Sequence, residues 1–387
     1  MKIKKIIGTV KDYAWGNKDF IPSLIGGYTG KPQAELWFGT HALGESKTED
    51  GEPLSALIRE DKSYLGDGYG MFSGELPILL KILAIEKPLS LQCHPTRLQA
   101  QEGWKREEGL RKEGKEHNYQ DPNPKAEIIA ALSPITAMCG FRDAEVVNAD
   151  LAALIPTGYA RAIRKFSSSV KDLYLGLYAL SAEDRKMILE ELEASLRADK
   201  GESWNGLFLT RKGIALECLE EYPGDIGALF PYLMNVITLQ IGEALFLEPD
   251  TLHAYVFGNG VELMNASDNV LRGGLTKKRM DLAELERIMS FESIDPEKVR
   301  TEKDGFGRTV YLAPTGEFRL LSAGAGNYAM RSGRLSLVLA TEGSVRFSEG
   351  SESLTIGKGE CAVVPSSLEY SMNVQGRVYI AECGTLS

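Results

Sequence analysis

The chain has 387 residues, 43% hydrophobic and 25% charged, with 54 acidic against 44 basic side chains and a net charge of -10. That length and balance fit an ordinary globular protein of two or three domains, and they exclude a duplex-binding protein, which needs a basic excess or stripe. No run approaches the roughly 20 apolar residues of a membrane span, and the N-terminal apolar run is too short for a signal peptide. Five cysteines without close pairs exclude a disulfide framework, so a cytoplasmic location is expected.

Residues 1–142 read as mainly extended, with short apolar runs broken at Gly26-Gly27, Gly39-Thr40 and Gly66-Asp67-Gly68. Inside them the apolar run 78–85 leads into Leu89-Ser-Leu-Gln-Cys-His-Pro95. A strand alternates its faces, so Gln92 and His94 point one way while Leu91 and Cys93 point the other. A helix is expected over 96–114, with Thr96 as N-cap and Gly114 as C-cap. Its Lys and Arg residues alternate with glutamates and read as a solvated face. Beyond it lies Tyr119-Gln-Asp-Pro-Asn-Pro-Lys-Ala-Glu127; a strand starting at Lys125 puts Lys125 and Glu127 on one face.

Residues 143–223 change character. Val147, Leu151 and Leu154 recur at helical spacing, Ser181-Ala-Glu-Asp184 resembles a capping box, and 204–219 is expected to be helical, ended by Tyr222-Pro-Gly-Asp225. β character returns with Val236-Ile-Thr-Leu-Gln240 and Ala244-Leu-Phe-Leu247. A short helix follows over 281–288, and the chain is again all-β from about 305 onward.

An internal repeat organises the β segments. Gly242-Glu-Ala-Leu-Phe-Leu-Glu-Pro-Asp-Thr-Leu-His-Ala-Tyr255 resembles Gly359-Glu-Cys-Ala-Val-Val-Pro-Ser-Ser-Leu-Glu-Tyr370. Each runs Gly-Glu, apolar strand, Pro, two small or polar residues, Leu, a polar residue and an aromatic, as a jelly-roll hairpin does. The expected fold is therefore mainly β: two cupin-type jelly rolls with an all-helical insert. The segments are 1–142 with 224–283 for the first jelly roll, 143–223 for the insert and 284–387 for the second. The inward polar residue is His253 in the first copy and Glu369 in the second, so only the first is equipped for a metal.

The chain has only four histidines, and two of them fall in these motifs. Gln92, His94, Glu127 and His253 offer two imidazoles, a carboxylate and a neutral amide. That set suits Zn²⁺ with an open position, and its two His and carboxylate also suit Fe(II). A weak, neutral Gln ligand keeps zinc electrophilic enough to polarise a carbonyl or vicinal hydroxyls. Ser267-Asp-Asn-Val-Leu-Arg-Gly-Gly-Leu-Thr276 adds Arg272 ahead of two glycines, which let backbone approach a ligand closely.

Taken together, these segments resemble the type I phosphomannose isomerases. The family's motifs recur as Tyr13-Ala-Trp-Gly16, Ala34-Glu-Leu-Trp-Phe-Gly-Thr-His41, Leu89 to Pro95, Tyr119 to Glu127, Leu252-His-Ala-Tyr255 and Ser267 to Thr276. The resemblance implies one Zn²⁺ per chain on Gln92, His94, Glu127 and His253, and a catalytic Arg272. The reaction it implies interconverts mannose 6-phosphate and fructose 6-phosphate through an enediol, in a monomer that binds a phosphosugar and neither nucleic acid nor membrane. Lys125 then contacts sugar or phosphate, and Lys87 and Trp15 line the substrate. Asp268 is the first candidate for proton transfer, with Glu262 and a zinc-bound hydroxide behind it. Two departures stand out: Pro124-Lys-Ala-Glu127 replaces the usual His-Lys-Pro-Glu, and Arg272-Gly-Gly-Leu-Thr-Lys277 replaces Arg-Ala-Gly-Leu-Thr-Pro. The competing classes are an Fe(II) oxygenase of the same fold and a phosphosugar-binding protein without catalysis.

Overall fold

A computed structural model describes residues 2–66, 68 and 75–384; Asp67, in one of the expected breaks, lies outside them. The architecture is mainly β, with two ten-stranded antiparallel sheets, and fits a cupin-type fold. The first sheet is woven around one long strand, His253–Asn265. Its beginning pairs with Ile135–Phe141, and from Gly258 onward it pairs with Ile78–Ile85 and then with Glu127–Ala131. The change of partner falls at Gly258, where φ is 112° and a Cβ would lie 2.3 Å from the carbonyl oxygen of Pro134. Glycine lets the strand turn this corner, and the turn folds the sheet into two facing walls.

The second sheet is built on Ser336–Glu349 and Glu369–Cys383, paired through most of their length. The N-terminal strand Lys4–Ile7 joins it beside Cys361–Val364, and Lys47–Thr48 pairs with Lys4–Ile7 in turn. Thr9–Lys11 then pairs with Glu35–Phe38 in the first sheet. The opening segment thus supplies strands to both sheets. Leu80, Ile82 and Val261 of one sheet share an apolar cluster with Leu337, Leu339 and Tyr379 of the other.

The helices start where side-chain caps satisfy the first backbone N–H groups. Thr96 forms a full capping box with Gln99 ahead of Arg97–Arg106. Asp143 caps Ala144–Leu154, Ser181 caps Ala182–Ala198, and Asp281 caps Leu282–Ile288. The expected helix over 204–219 is corrected. Trp204–Asn205 and Phe208–Leu209 form a small hairpin around Gly206, and the helix Arg211–Glu221 begins only after Thr210, whose hydroxyl accepts from the Gly213 amide. Gly206-Leu207 is the two-residue turn, with Gly206 at a left-handed φ of 62° in its first position, and it overrides the helical spacing of the apolar residues around it. The helical segments pack Leu173, Leu177, Ile188 and Ile214 in one cluster with Leu91, Cys93 and Met138 of the first sheet. One strand, Leu91–Cys93, therefore has helices behind it and Gln92 in front. Among the described residues no helix is long and apolar enough to cross a membrane.

The repeat needs a correction at its second copy. Ala244–Leu247 and Cys361–Val364 are both four-residue strands followed by a Pro turn and a long strand. His253 and Glu369 each open the long strand, but His253 is buried and the Glu369 side chain is 79% exposed beside Arg331. The left-handed residue is Asp250 (φ 68°), one after Pro249, in the first turn, and Ser367 (φ 59°), two after Pro365, in the second. The alternation is thereby shifted, and Tyr370 takes the inward place instead.

Candidate metal centre and active-site cavity

His253 stands opposite Gln92 in the ladder, and Gln92 stands opposite Arg272 of the strand Leu271–Gly274. Directly opposed residues share a face. His94 follows two positions after Gln92, at the end of Leu91–Cys93. Glu127 comes from the other wall, as first residue of Glu127–Ala131, between Leu247 and Met264. One ligand atom each from His94, Glu127 and His253 lies within 4.8 Å of the others, and all three residues are buried.

The tautomers follow from the hydrogen bonds. Nδ1 of His94 lies 2.9 Å from the carbonyl oxygen of Asn269, and Nδ1 of His253 lies 2.9 Å from that of Thr251. A carbonyl only accepts, so each Nδ1 carries the proton and each Nε2 presents a lone pair. Both lone pairs face Glu127, at 3.4 Å for His94 and 3.5 Å for His253. Two lone pairs and a carboxylate turned toward one another are stable only around positive charge. The Lys125 ammonium is 2.6 Å from Glu127 and 3.2 Å from Nε2 of His94. Burial, with Lys125 beside it, holds the His94 imidazole down to about 3, so the ring is the neutral, ligating form. Burial opposes the charge on Glu127, yet Lys125 and the histidines outweigh it and keep the carboxyl well below its ordinary range. Neutral rings oriented from behind by carbonyls, plus one ionised carboxylate and no cysteine, fit a single zinc ion.

The expected pairing of Lys125 with Glu127 is present, although the strand starts at Glu127 and not at Lys125. All ten candidate residues except the fully enclosed His94 line one cavity of about 720 Å³, a size typical of small-molecule sites. Arg272, Lys277, Lys278 and Lys87 are among the cations that line it. Arg272 donates to Ser90 Oγ at 2.8 Å, and among the described residues it has no carboxylate partner. Burial pushes its guanidinium below the usual range, so an anion arriving there would be welcome. Lys87 is instead tied to Glu221 at 2.6 Å. Trp15, whose carbonyl accepts the Lys87 amide, stacks on Tyr13 with ring centroids 5.9 Å apart.

The two carboxylates considered for proton transfer occupy different environments. Asp268 accepts from His41 at 3.1 Å, and this bond holds its carboxyl below the ordinary value. His41 also accepts the Leu43 amide at Nδ1, so both ring nitrogens are committed. Glu262 is buried 3.0 Å from Lys81, and burial raises its carboxyl despite that lysine.

Two residues carried no role in the sequence reading, Lys81 in the cavity wall and Asn269 behind His94. Lys81 lies between Glu262 and Glu35, with its ammonium 5.2 Å from the Trp37 ring centroid. Its signal was a lone lysine inside an eight-residue apolar strand buried throughout. Asn269, wholly buried, accepts the Gln120 amide and donates to the carbonyls of Asp121 and Asn123. It fixes the backbone whose own carbonyl orients His94. It sat in a quoted motif, but only the fold brings residues 120–123 to it.

Comparison with known proteins places this geometry. A family model described as phosphomannose isomerase type I, catalytic domain, matches residues 3–144. The mannose-6-phosphate isomerase of Escherichia coli is 32% identical over 98% of this chain and 98% of its own. The human mannose-6-phosphate isomerase is 30% identical over 81% of this chain and 79% of its own. A crystal structure of a mutant phosphomannose isomerase from Salmonella typhimurium covers 99% of this chain and 100% of its own, with a TM-score of 0.89 at 28% identity. A mannose 6-phosphate isomerase bound with zinc and yttrium covers both chains fully, with a TM-score of 0.88 at 29% identity. At 30% identity or more over most of its length to such enzymes, and with a His-Glu-His cluster in the same fold, this chain belongs to the type I phosphomannose isomerase family.

Proposed function

We propose that this chain interconverts mannose 6-phosphate and fructose 6-phosphate through an enediol, using one zinc ion held by Gln92, His94, Glu127 and His253. The observation that carries this reading is the convergence of two oriented Nε2 lone pairs on Glu127 at the wall of a cavity lined by several cations. When bound, zinc polarises the sugar's carbonyl and adjacent hydroxyl.

The protein's own groups do the rest. Arg272, which has no carboxylate partner among the described residues, offsets the charge that develops on the enediolate, a role worth typically a few kcal/mol. Lys277 and Lys278, which line the same cavity, add positive charge for the phosphate. Lys125 holds Glu127 ionised and reaches the sugar from the ligand side. Lys87 adds to the phosphate contacts only on release from Glu221. Trp15 and Tyr13 give the cavity an apolar face. Proton transfer between C1 and C2 favours a carboxylate whose pKa lies near working pH. Glu262, raised by burial, meets that condition better than Asp268, which His41 holds low, so we assign the transfer to Glu262 and an orienting role to Asp268.

A coupled isomerase assay on mannose 6-phosphate, run beside a chelated control and elemental analysis, tests the reading. Turnover that disappears with stoichiometric zinc and returns on its addition supports it. Phosphosugar binding without turnover, or iron in place of zinc, rejects it.

A further inference from the structure

We infer that the helical segment positions Arg272 through Tyr174 and Tyr178. The inference rests on the catalytic role just proposed for that arginine. In the ladder between Leu271–Gly274 and Leu91–Cys93, Arg272 faces Gln92 and Gly274 faces Leu91, so Gly273 is an extra residue bulged out of the pairing. A bulge re-aims the neighbouring side chain and leaves backbone groups without ladder partners. Here the Gly273 carbonyl accepts two hydrogen bonds, from Tyr174 Oη at 3.0 Å and Tyr178 Oη at 2.8 Å. The two tyrosines lie four residues apart on the helix Val170–Tyr178 and so share one face. Burial raises both phenols, which keeps them protonated and donating.

The clamped backbone is an unusual one. Gly274 has φ 145° and Leu275, though not glycine, has φ 51°. A Cβ on Gly274 would lie 2.3 Å from the Tyr178 hydroxyl, so the glycine is what admits the clamp. Such a conformation persists only where its surroundings hold it. Asp225 adds a bond to the Thr276 amide at 3.0 Å, and Tyr222 donates to the Pro88 carbonyl at 2.7 Å, beside Ser90 that accepts from Arg272. The helices therefore grip the backbone on both sides of the guanidinium, and Tyr174 and Tyr178 grip it nearest. Neither tyrosine touches the cavity, so both are positioning residues.

The test is a mutant cycle in the zinc-loaded enzyme. Tyr174→Phe with Tyr178→Phe is expected to lower kcat about tenfold, with zinc content held and KM little changed, because loss of alignment acts on the transition state. In the Arg272→Ala background the same two changes are expected to add nothing further to the loss of kcat. An equal loss in both backgrounds means general destabilisation and overturns the proposal, as does normal kcat in the double Phe variant. Should that variant fail to fold, Tyr178→Phe alone, at the less buried of the two positions, is run through the same cycle with an expected loss of about threefold. A normal kcat for Arg272→Ala itself overturns the catalytic assignment. A deficient Arg272→Ala beside a normal Tyr178→Phe overturns the clamp alone.

Discussion

The two long hairpins of the molecule start from a similar sequence pattern and end in different chemistry. After Ala244–Leu247 the chain turns at Pro249 and delivers His253 inward, opposite Gln92, onto an open cavity. After Cys361–Val364 it turns at Pro365 and delivers Glu369 outward, opposite Arg331. Tyr370, Met372 and Val374 then fill the interior together with Val338, Val345 and Phe347. A one-residue offset in the turn's left-handed position separates a wall that can carry ligands from a wall that is all core. Period-two alternation makes such an offset decisive, because it moves every side chain of the strand to the other face.

Removing the inward histidines should have the largest effect. His253→Ala or His94→Ala is expected to lose zinc and at least about a thousandfold in turnover, several kcal/mol of transition-state stabilisation, while the fold persists. Circular dichroism and metal analysis check it, and stoichiometric zinc in either variant breaks the ligand assignment. Next comes Glu262→Gln, expected to lower kcat by about 10²–10⁴-fold with zinc retained. A base must be ionised, and burial raises Glu262 from 4.5, so the acid limb of wild-type kcat/KM should fall as pH drops through a value above 4.5. A limb below 3.8, the ordinary value that His41 depresses further for Asp268, would return the role to Asp268.

Asn269→Ala should act more gently, because it frees the backbone carbonyl that orients His94 without removing a donor. Zinc affinity is expected to fall about 10–100-fold, as read by competition with a chromophoric chelator; unchanged affinity would show that His94 holds its orientation without Asn269. The smallest effect is expected on the other side of the comparison. Glu369→His restores the residue type of the first hairpin but points it at solvent, so zinc should stay at one per chain and stability should move by less than about 0.5 kcal/mol. A second bound zinc would mean that residue identity, not the turn, separates the two hairpins.

Much of the site was legible because local rules govern it. Alternation turned Leu91 and Cys93 away from Gln92, and the helices pack against them, while the caps expected at Thr96 and Ser181 open helices where they stand. Local rules failed where two of them competed, as in 204–219, where a turn pair cut a helical pattern. They also failed where outcomes depend on partners far along the chain. Lys87 reads as a free cation until Glu221 is placed beside it, and Asp268 reads as a free base until His41 is.

The sequence by itself determined the candidate donors and the family to which the chain belongs, since these reside in residue types at fixed short spacings. Only the tertiary structure decided which carboxylate is raised and which is lowered. It also decided that Glu369 faces out, and that two tyrosines from the helices hold the bulge behind Arg272. Those outcomes depend on burial and on contacts between residues about a hundred or more positions apart, and chain spacing carries no record of either.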